Sequence, residues 1–208
     1  MTKDMPFIAE LDFGMGNIRS VQKAFEHLGQ HVTVTDKPED IKKADAVILP
    51  GDGAFGKAIE ELKSRKLYDA IIEFHESKKP ILGICIGFQI LFSTSEEYGS
   101  HDGFNFFNGK ITKFDNSNMT VPHIGWAPVK WQSSARLCKN IPDNSYFYFV
   151  HSYRLPGEIE NTIGASNYGD VFTAAAEKEN LFAVQFHPEK SQKWGLKLLE
   201  NFIDIVRN

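Results

Sequence analysis

Ala46-Val47-Ile48-Leu49 is a short, unbroken apolar run closed by Pro50 and Gly51. A run of that length with no polar alternation suits a strand buried on both faces, as in a parallel sheet packed between helices. Its surroundings repeat the pattern. Phe7–Leu11 reads as a strand, and Ile18, Val21, Phe25 and Leu28 then recur at helical spacing until Gly29. His31–Thr35 is rich in β-branched residues and reads as a second strand. A helical stretch from about Ala54 to Glu76, broken near Arg65, leads to a fourth strand at Pro80–Ile84. This rhythm predicts an α/β fold built on an open, doubly wound, mostly parallel sheet, with ligands at the carboxyl ends of the strands.

The second half changes character. Lys110–Phe114, Ala127–Trp131, Tyr146–Val150 and Val171–Ala175 are short β-like runs, expected as antiparallel additions at one edge of the sheet. Leu181–Gln185 is one more strand. A closing helix carries Trp194, Leu198, Phe202 and Ile205 on its apolar face. At 208 residues, the expectation is a single domain spanning 1–208. The net charge of −4 offers nothing to nucleic acid or an anionic membrane. Residues 1–4 begin no signal-peptide pattern, and no segment has the length of a membrane span. The two cysteines, Cys85 and Cys138, form neither a disulfide framework nor a metal spacing, so a reducing, cytoplasmic setting is expected.

Gly83-Ile84-Cys85-Ile86-Gly87 lies between the fourth strand and a helical run, Phe88–Phe92. A cysteine between glycines at such a junction fits a nucleophile elbow, with the following helix N-terminus favouring the thiolate. The same pattern fits a buried cysteine beside a tight turn. A nucleophile needs a base, and the base an orienting group. His187 directly follows the strand ending at Phe186, and Pro188 biases it to an extended backbone. In that conformation residues two apart share a side, so His187 and Glu189 are expected to face one site. Gly51 and Gly53 leave backbone amides facing an anion at a helix start, a candidate oxyanion hole.

Other patterns are weaker. Gly51–Lys57 matches a P-loop spacing, but Ala58 stands where a magnesium-binding hydroxyl is needed. Gly14-Met15-Gly16 lacks the third glycine of a dinucleotide fingerprint. His27 and His31 have no carboxylate to complete a metal set, and Cys138 has no acid–base partner.

Together these residues resemble the class I glutamine amidotransferases over nearly the whole chain. The matching blocks are Gly14–Val21, Pro50–Gly56, Leu82–Gln89, Pro122–Trp126, Tyr148–Tyr153 and Gln185–Ser191. Three of them, around Gly14-Met15-Gly16-Asn17, Pro122–Trp126 and Tyr148–Tyr153, point to the branch serving histidine biosynthesis. The resemblance implies Cys85 as nucleophile, His187 as base and acid, and Glu189 as orienting carboxylate. It implies that Gln89 and Glu97 bind L-glutamine, that His151-Ser152-Tyr153 meets its α-carboxylate, and that Gly53 and the Ile86 amide serve the oxyanion. Asn17, Trp126 and Tyr148 match positions near a subunit interface. The implied partner is a (β/α)8-barrel cyclase subunit that receives ammonia and forms imidazole glycerol phosphate. No metal or organic cofactor is implied. The alternative is a paralogous subunit feeding ammonia to another synthase, such as one aminating a sugar for surface polysaccharide. One position departs from the family: Asp52 replaces the usual Val in the oxyanion loop, where a carboxylate opposes a developing negative charge unless it points away or is paired.

Overall fold

The structure is a computed structural model that describes residues 5–115, 117 and 119–208. Residues 1–4, read above for a signal pattern, lie outside the described residues. The first half contributes β1 (Ile8–Leu11), α1 (Ile18–His27), β2 (Val32–Thr35), α2 (Pro38–Lys43), β3 (Ala46–Leu49), α3 (Phe55–Ser64), α4 (Leu67–Glu76), β4 (Ile81–Ile84) and α5 (Ile86–Ile90). The second half adds β5 (Thr94–Ser95), β6 (His101–Asp102), β7 (Lys110–Lys113), β8 (His123–Trp131), β9 (Ser145–His151), β10 (Tyr153–Pro156), β11 (Thr162–Tyr168), β12 (Asp170–Lys178), β13 (Leu181–Val184) and α6 (Gln192–Arg207).

Five parallel strands in the order β2-β1-β3-β4-β13 form the centre. β1, β3, β4 and β13 are buried at every position, which is why their sequences do not alternate; all are continuous apolar runs except β1, which carries Glu10. The apolar faces of α1 and α6 cover one side of the sheet, and those of α3, α4 and α5 cover the other. β12 runs antiparallel to β13 and opens the second part, where β11, β8 and β9 follow on one branch and β10 and β7 on another. The expected open sheet with antiparallel additions at one edge is found as a mixed sheet, in which the second, largely antiparallel part has more strands than the parallel centre. None of the helices among the described residues is long and apolar enough to cross a membrane.

Parallel pairing decides where chemistry collects. All five central strands point their carboxyl ends to one edge, so the segments after β1, β3, β4 and β13 converge there. Val184 pairs with Ile84, which sets Gln185 beside Cys85. The Cys85 amide donates to the Val184 carbonyl at 2.8 Å and closes that junction.

Candidate active site

Cys85 is the N-cap of α5 with φ 57° and ψ −103°, a strained conformation for a residue with a Cβ. The turn is tight enough to need both flanking glycines. A Cβ on Gly87 would lie 1.8 Å from the Leu49 carbonyl oxygen, and one on Gly83 would lie 2.6 Å from that of Gly87. The elbow expected from the sequence is therefore present, with the start of α5 wedged against the end of β3.

His187 stands past the end of β13, held through its backbone. Its amide donates to the Tyr148 carbonyl at 2.9 Å, and its carbonyl accepts from the Ser191 hydroxyl at 2.6 Å. Its Nδ1 lies 2.8 Å from Glu189 Oε1, with both side chains buried. The route to that contact differs from the sequence expectation. The chain does not stay extended past His187; Pro188–Lys190 form a 3-10 turn that brings Glu189 back under the ring. Burial alone would lower the His187 pKa. Negative charge and hydrogen bonding from Cys85 and Glu189 outweigh burial and raise it to about 10. Nε2 makes no hydrogen bond among the described residues and is left for the cavity side.

Cys85 and His187 line one cavity of about 370 Å³, together with Asp52, Gly53, Ile86, Gln89, Glu97, His151, Ser152 and Tyr153. That volume is in the range of small-molecule sites, about 300–1,000 Å³. Gln89 Nε2 donates to the Tyr153 carbonyl and to Gln185 Oε1, each at 3.0 Å, and Gln185 Nε2 reaches 4.0 Å from the Cys85 sulfur. Gln185 was not singled out from the sequence; its place one register beyond Val184 was the available signal. Glu97 Oε2 accepts from the Phe55 amide at 2.7 Å, where α3 begins. Burial raises its pKa, opposed by that amide and by His101. His151 is buried and neutral: burial takes its pKa down to about 3, against the help of the Tyr153 carbonyl, which accepts from Nδ1 at 2.8 Å.

The candidate oxyanion loop follows β3. The amides of Gly51, Asp52 and Gly53 have no acceptor among the described residues, and Ile86 N is the first amide of α5, with no intrahelical acceptor. Gly53 lines the cavity, whereas Gly51 sits behind it against Gly16, Phe13 and Ile86. Asp52 is exposed at the cavity margin. Lys57 closes the P-loop question: it is exposed on α3 and paired with Glu61 at 2.9 Å and Glu60 at 3.2 Å. Cys138 donates to the Gln132 carbonyl, and burial pushes its thiol up to about 11.

The three interface candidates lie on two parts of the chain. Trp126 and Tyr148 meet edge to face across β8 and β9 with ring centroids 6.0 Å apart, and Trp126 is 45% exposed. Asn17 is on another element, where its side chain caps α1 by accepting from the Ser20 amide at 3.3 Å. Among the described residues no group of three or more His, Cys, Asp or Glu is arranged to hold a metal.

An elbow cysteine, a histidine–carboxylate pair and an amide-lined loop at the carboxyl edge of a parallel sheet are the parts a thiol-dependent hydrolase needs. Residues 9–206 match the glutamine amidotransferase class-I family, and the chain belongs to it. It is 46% identical to the imidazole glycerol phosphate synthase subunit HisH of Methanosarcina barkeri, over 97% of this chain and 100% of that one. It is 44% identical to the same-named subunit of Chlorobaculum tepidum over 97% and 100%, and 46% identical to that of Moorella thermoacetica over 97% and 96%. The solved PurLQS structure from Thermotoga maritima has the same fold, with a TM-score of 0.73 at 19% identity, covering 97% of this chain and 99% of that one. The alternative acceptor synthase finds no support among these relatives.

Proposed function

We propose that this chain is the glutaminase subunit of an imidazole glycerol phosphate synthase, hydrolysing L-glutamine and passing ammonia to a cyclase. The placement of Cys85 and His187 on one small-molecule cavity, with Glu189 against His187 Nδ1, carries this reading. His187 takes the thiol proton, and the Cys85 sulfur attacks the side-chain amide carbon of glutamine. The oxyanion that forms is met by the amides of Gly53 and Ile86. His187 gives its proton to the departing nitrogen, ammonia leaves, and a glutamyl thioester remains on Cys85. His187 then takes a proton from water, the hydroxide attacks the thioester, and glutamate is released. Glu189 holds the ring with Nδ1–H toward itself and stabilises the transient imidazolium. Glu97 supplies the carboxylate for the substrate α-amino group, and Gln89 with His151–Tyr153 closes the other end.

The names of the relatives and the near-complete mutual coverage support a division of labour with a (β/α)8-barrel cyclase subunit. Ile124 and Trp126, exposed on the β8–β9 hairpin, belong to the face assigned to that partner, and a cytoplasmic setting follows from the pathway. The test is Cys85→Ala in complex with the cyclase and its nucleotide substrate. Glutamine-dependent product formation is lost and ammonium-dependent formation persists. Loss of both, or glutamine turnover unaffected by the substitution, overturns the assignment.

A further inference from the structure

Five buried side-chain nitrogen or oxygen atoms lack a hydrogen-bond partner among the described residues, and four of them belong to Glu10, Glu189 and His187. We propose that Glu10 is a positioning residue for the catalytic site: it keeps a neutral carboxyl near Glu189, leaves Glu189 the single charged carboxylate serving His187, and transmits alkaline pH to that pair when it loses its proton. This rests on the roles given to His187 and Glu189 above.

Glu10 is the third residue of β1, a position where the other central strands carry apolar side chains. Its register neighbours are Val34 on β2 and Ile48 on β3. It is fully buried, and both of its carboxylate oxygens are unpartnered. Strand alternation puts it on the face of Ile8, in the layer that holds Phe25, Ile84 and Cys85. The buried face of α1 offers Val21, Ala24 and Phe25, and that of α6 offers Leu198, Leu199 and Phe202. The α1 cations Arg19 and Lys23 are exposed. The ionisable groups that act on Glu10 are Glu189, from the 3-10 turn, and Asp12, at the end of its own strand; both are acidic. A carboxylate so placed has neither a cation nor a donor to offset its desolvation, so the neutral acid is the stable form. Burial, then Glu189, then Asp12 raise its pKa to about 8.

The charge count matters for both halves of the reaction. One negative carboxylate stabilises the imidazolium that forms when Cys85 loses its proton. A second buried negative charge nearby raises the His187 pKa further and holds that proton more tightly. The neutral imidazole that must take a proton from water is then depleted, and thioester hydrolysis slows. A neutral Glu10 avoids this.

The test follows the low-field Nδ1–H proton resonance of His187 by NMR in the full chain, together with kcat for glutamine hydrolysis, from about pH 6.5 to 9.5. Glu10→Gln removes the ionisation and keeps the shape; Glu10→Met is the second neutral variant should the amide fold poorly. In the wild type the resonance moves with a midpoint near pH 8, and kcat falls about threefold or more over the same range. In the neutral variants both stay level there. A role in packing alone moves neither quantity with pH. A wild-type resonance that stays fixed across the range, or that moves identically in the neutral variants, overturns the proposal. If the wild type in complex with the cyclase and its nucleotide substrate hydrolyses no glutamine at any pH, the functional reading fails, while the resonance of the full chain still tests the coupling from Glu10 to His187.

Discussion

His187 Nδ1 lies 2.8 Å from Glu189 Oε1, although the two residues share no strand. The 3-10 turn between them folds the carboxylate back beneath the imidazole, and the side chain of Glu189 is 1% exposed. A buried acceptor at that distance fixes the tautomer with Nδ1–H, leaving Nε2 to face the cavity.

Glu189→Gln keeps the shape of that contact and removes its charge. The amide also allows the ring to bind in the other tautomer, with the wrong nitrogen toward Cys85. Glutamine hydrolysis is expected to fall by about 10²–10⁴-fold in kcat. The His187 pKa falls with it, because a charge that raises it is gone. Steady-state kinetics and an NMR titration of the imidazole check both. A kcat within a fewfold of wild type would show that Glu189 does not orient the base.

Gly16 carries a different kind of constraint. Its φ is +101°, and a Cβ there would lie 2.5 Å from the Gly51 Cα, in the backbone of the oxyanion loop. The loop after β1 thus buttresses the loop after β3. Gly16→Ala must push Gly51 away, at a cost of about 1–3 kcal/mol in stability. Displacement of amides that need to sit within tenths of an ångström of the oxyanion costs activity out of proportion to that. The expectation is cooperative urea unfolding with a lowered midpoint, and glutaminase activity down by about tenfold or more. Equal activity with lowered stability would mean that the loop position does not depend on Gly16.

Much of this was legible in the chain. Continuous apolar runs announced the parallel strands, because burial on both faces erases alternation, and the carboxyl-edge rule then placed Cys85 and His187 on one side. What was missed lacked a periodic signal. α2 is six residues long with Ile41 as its one buried side chain, and β11 is built from Thr-Ile-Gly-Ala-Ser-Asn-Tyr, whose small residues read as loop, with a register shift at Gly164. Glu10 was read as part of a strand without comment, because strand period alone says nothing about which carboxylate lies across the fold. Asp52 drew attention for its charge beside the oxyanion loop, and the structure leaves it exposed to solvent, where screening weakens its opposition.

Gln185 sits between Gln89 and Cys85. Its Oε1 accepts from Gln89 and its Nε2 points toward the Cys85 sulfur. Gln185→Met conserves volume and removes both polar contacts. Gln89 keeps its bond to the Tyr153 carbonyl but loses its second partner, so its side chain is less firmly aimed. A buried hydrogen bond is worth about 1 kcal/mol net, and kcat/KM is expected to fall roughly tenfold. Separate kcat and KM values distinguish the two contacts: loss at Gln89 raises KM, and loss at the sulfur lowers kcat. No change in either would remove Gln185 from the site.

Glu10 also makes a prediction about stability that does not depend on catalysis. Below about pH 4.5 the carboxyl is protonated in both folded and unfolded chains and has no pH effect. Between its ordinary value of 4.5 and about 8, the unfolded chain gives up the proton and the folded chain retains it. Folding stability is therefore lost as pH rises through that window, by up to about 1.4 kcal/mol per pH unit and on the order of 5 kcal/mol in all. His187 acts in the same direction at higher pH, since its folded pKa is raised from 6.5 to about 10. The wild type is expected to lose stability steadily from about pH 5 to pH 9. Glu10→Met removes the contribution below pH 8 and leaves that of His187. The two proteins are compared by urea unfolding at several pH values. The variant gains on the wild type as pH rises from about 5 to 8, and the gap then stays constant. Parallel curves across that window would mean that Glu10 is not held protonated in the folded chain.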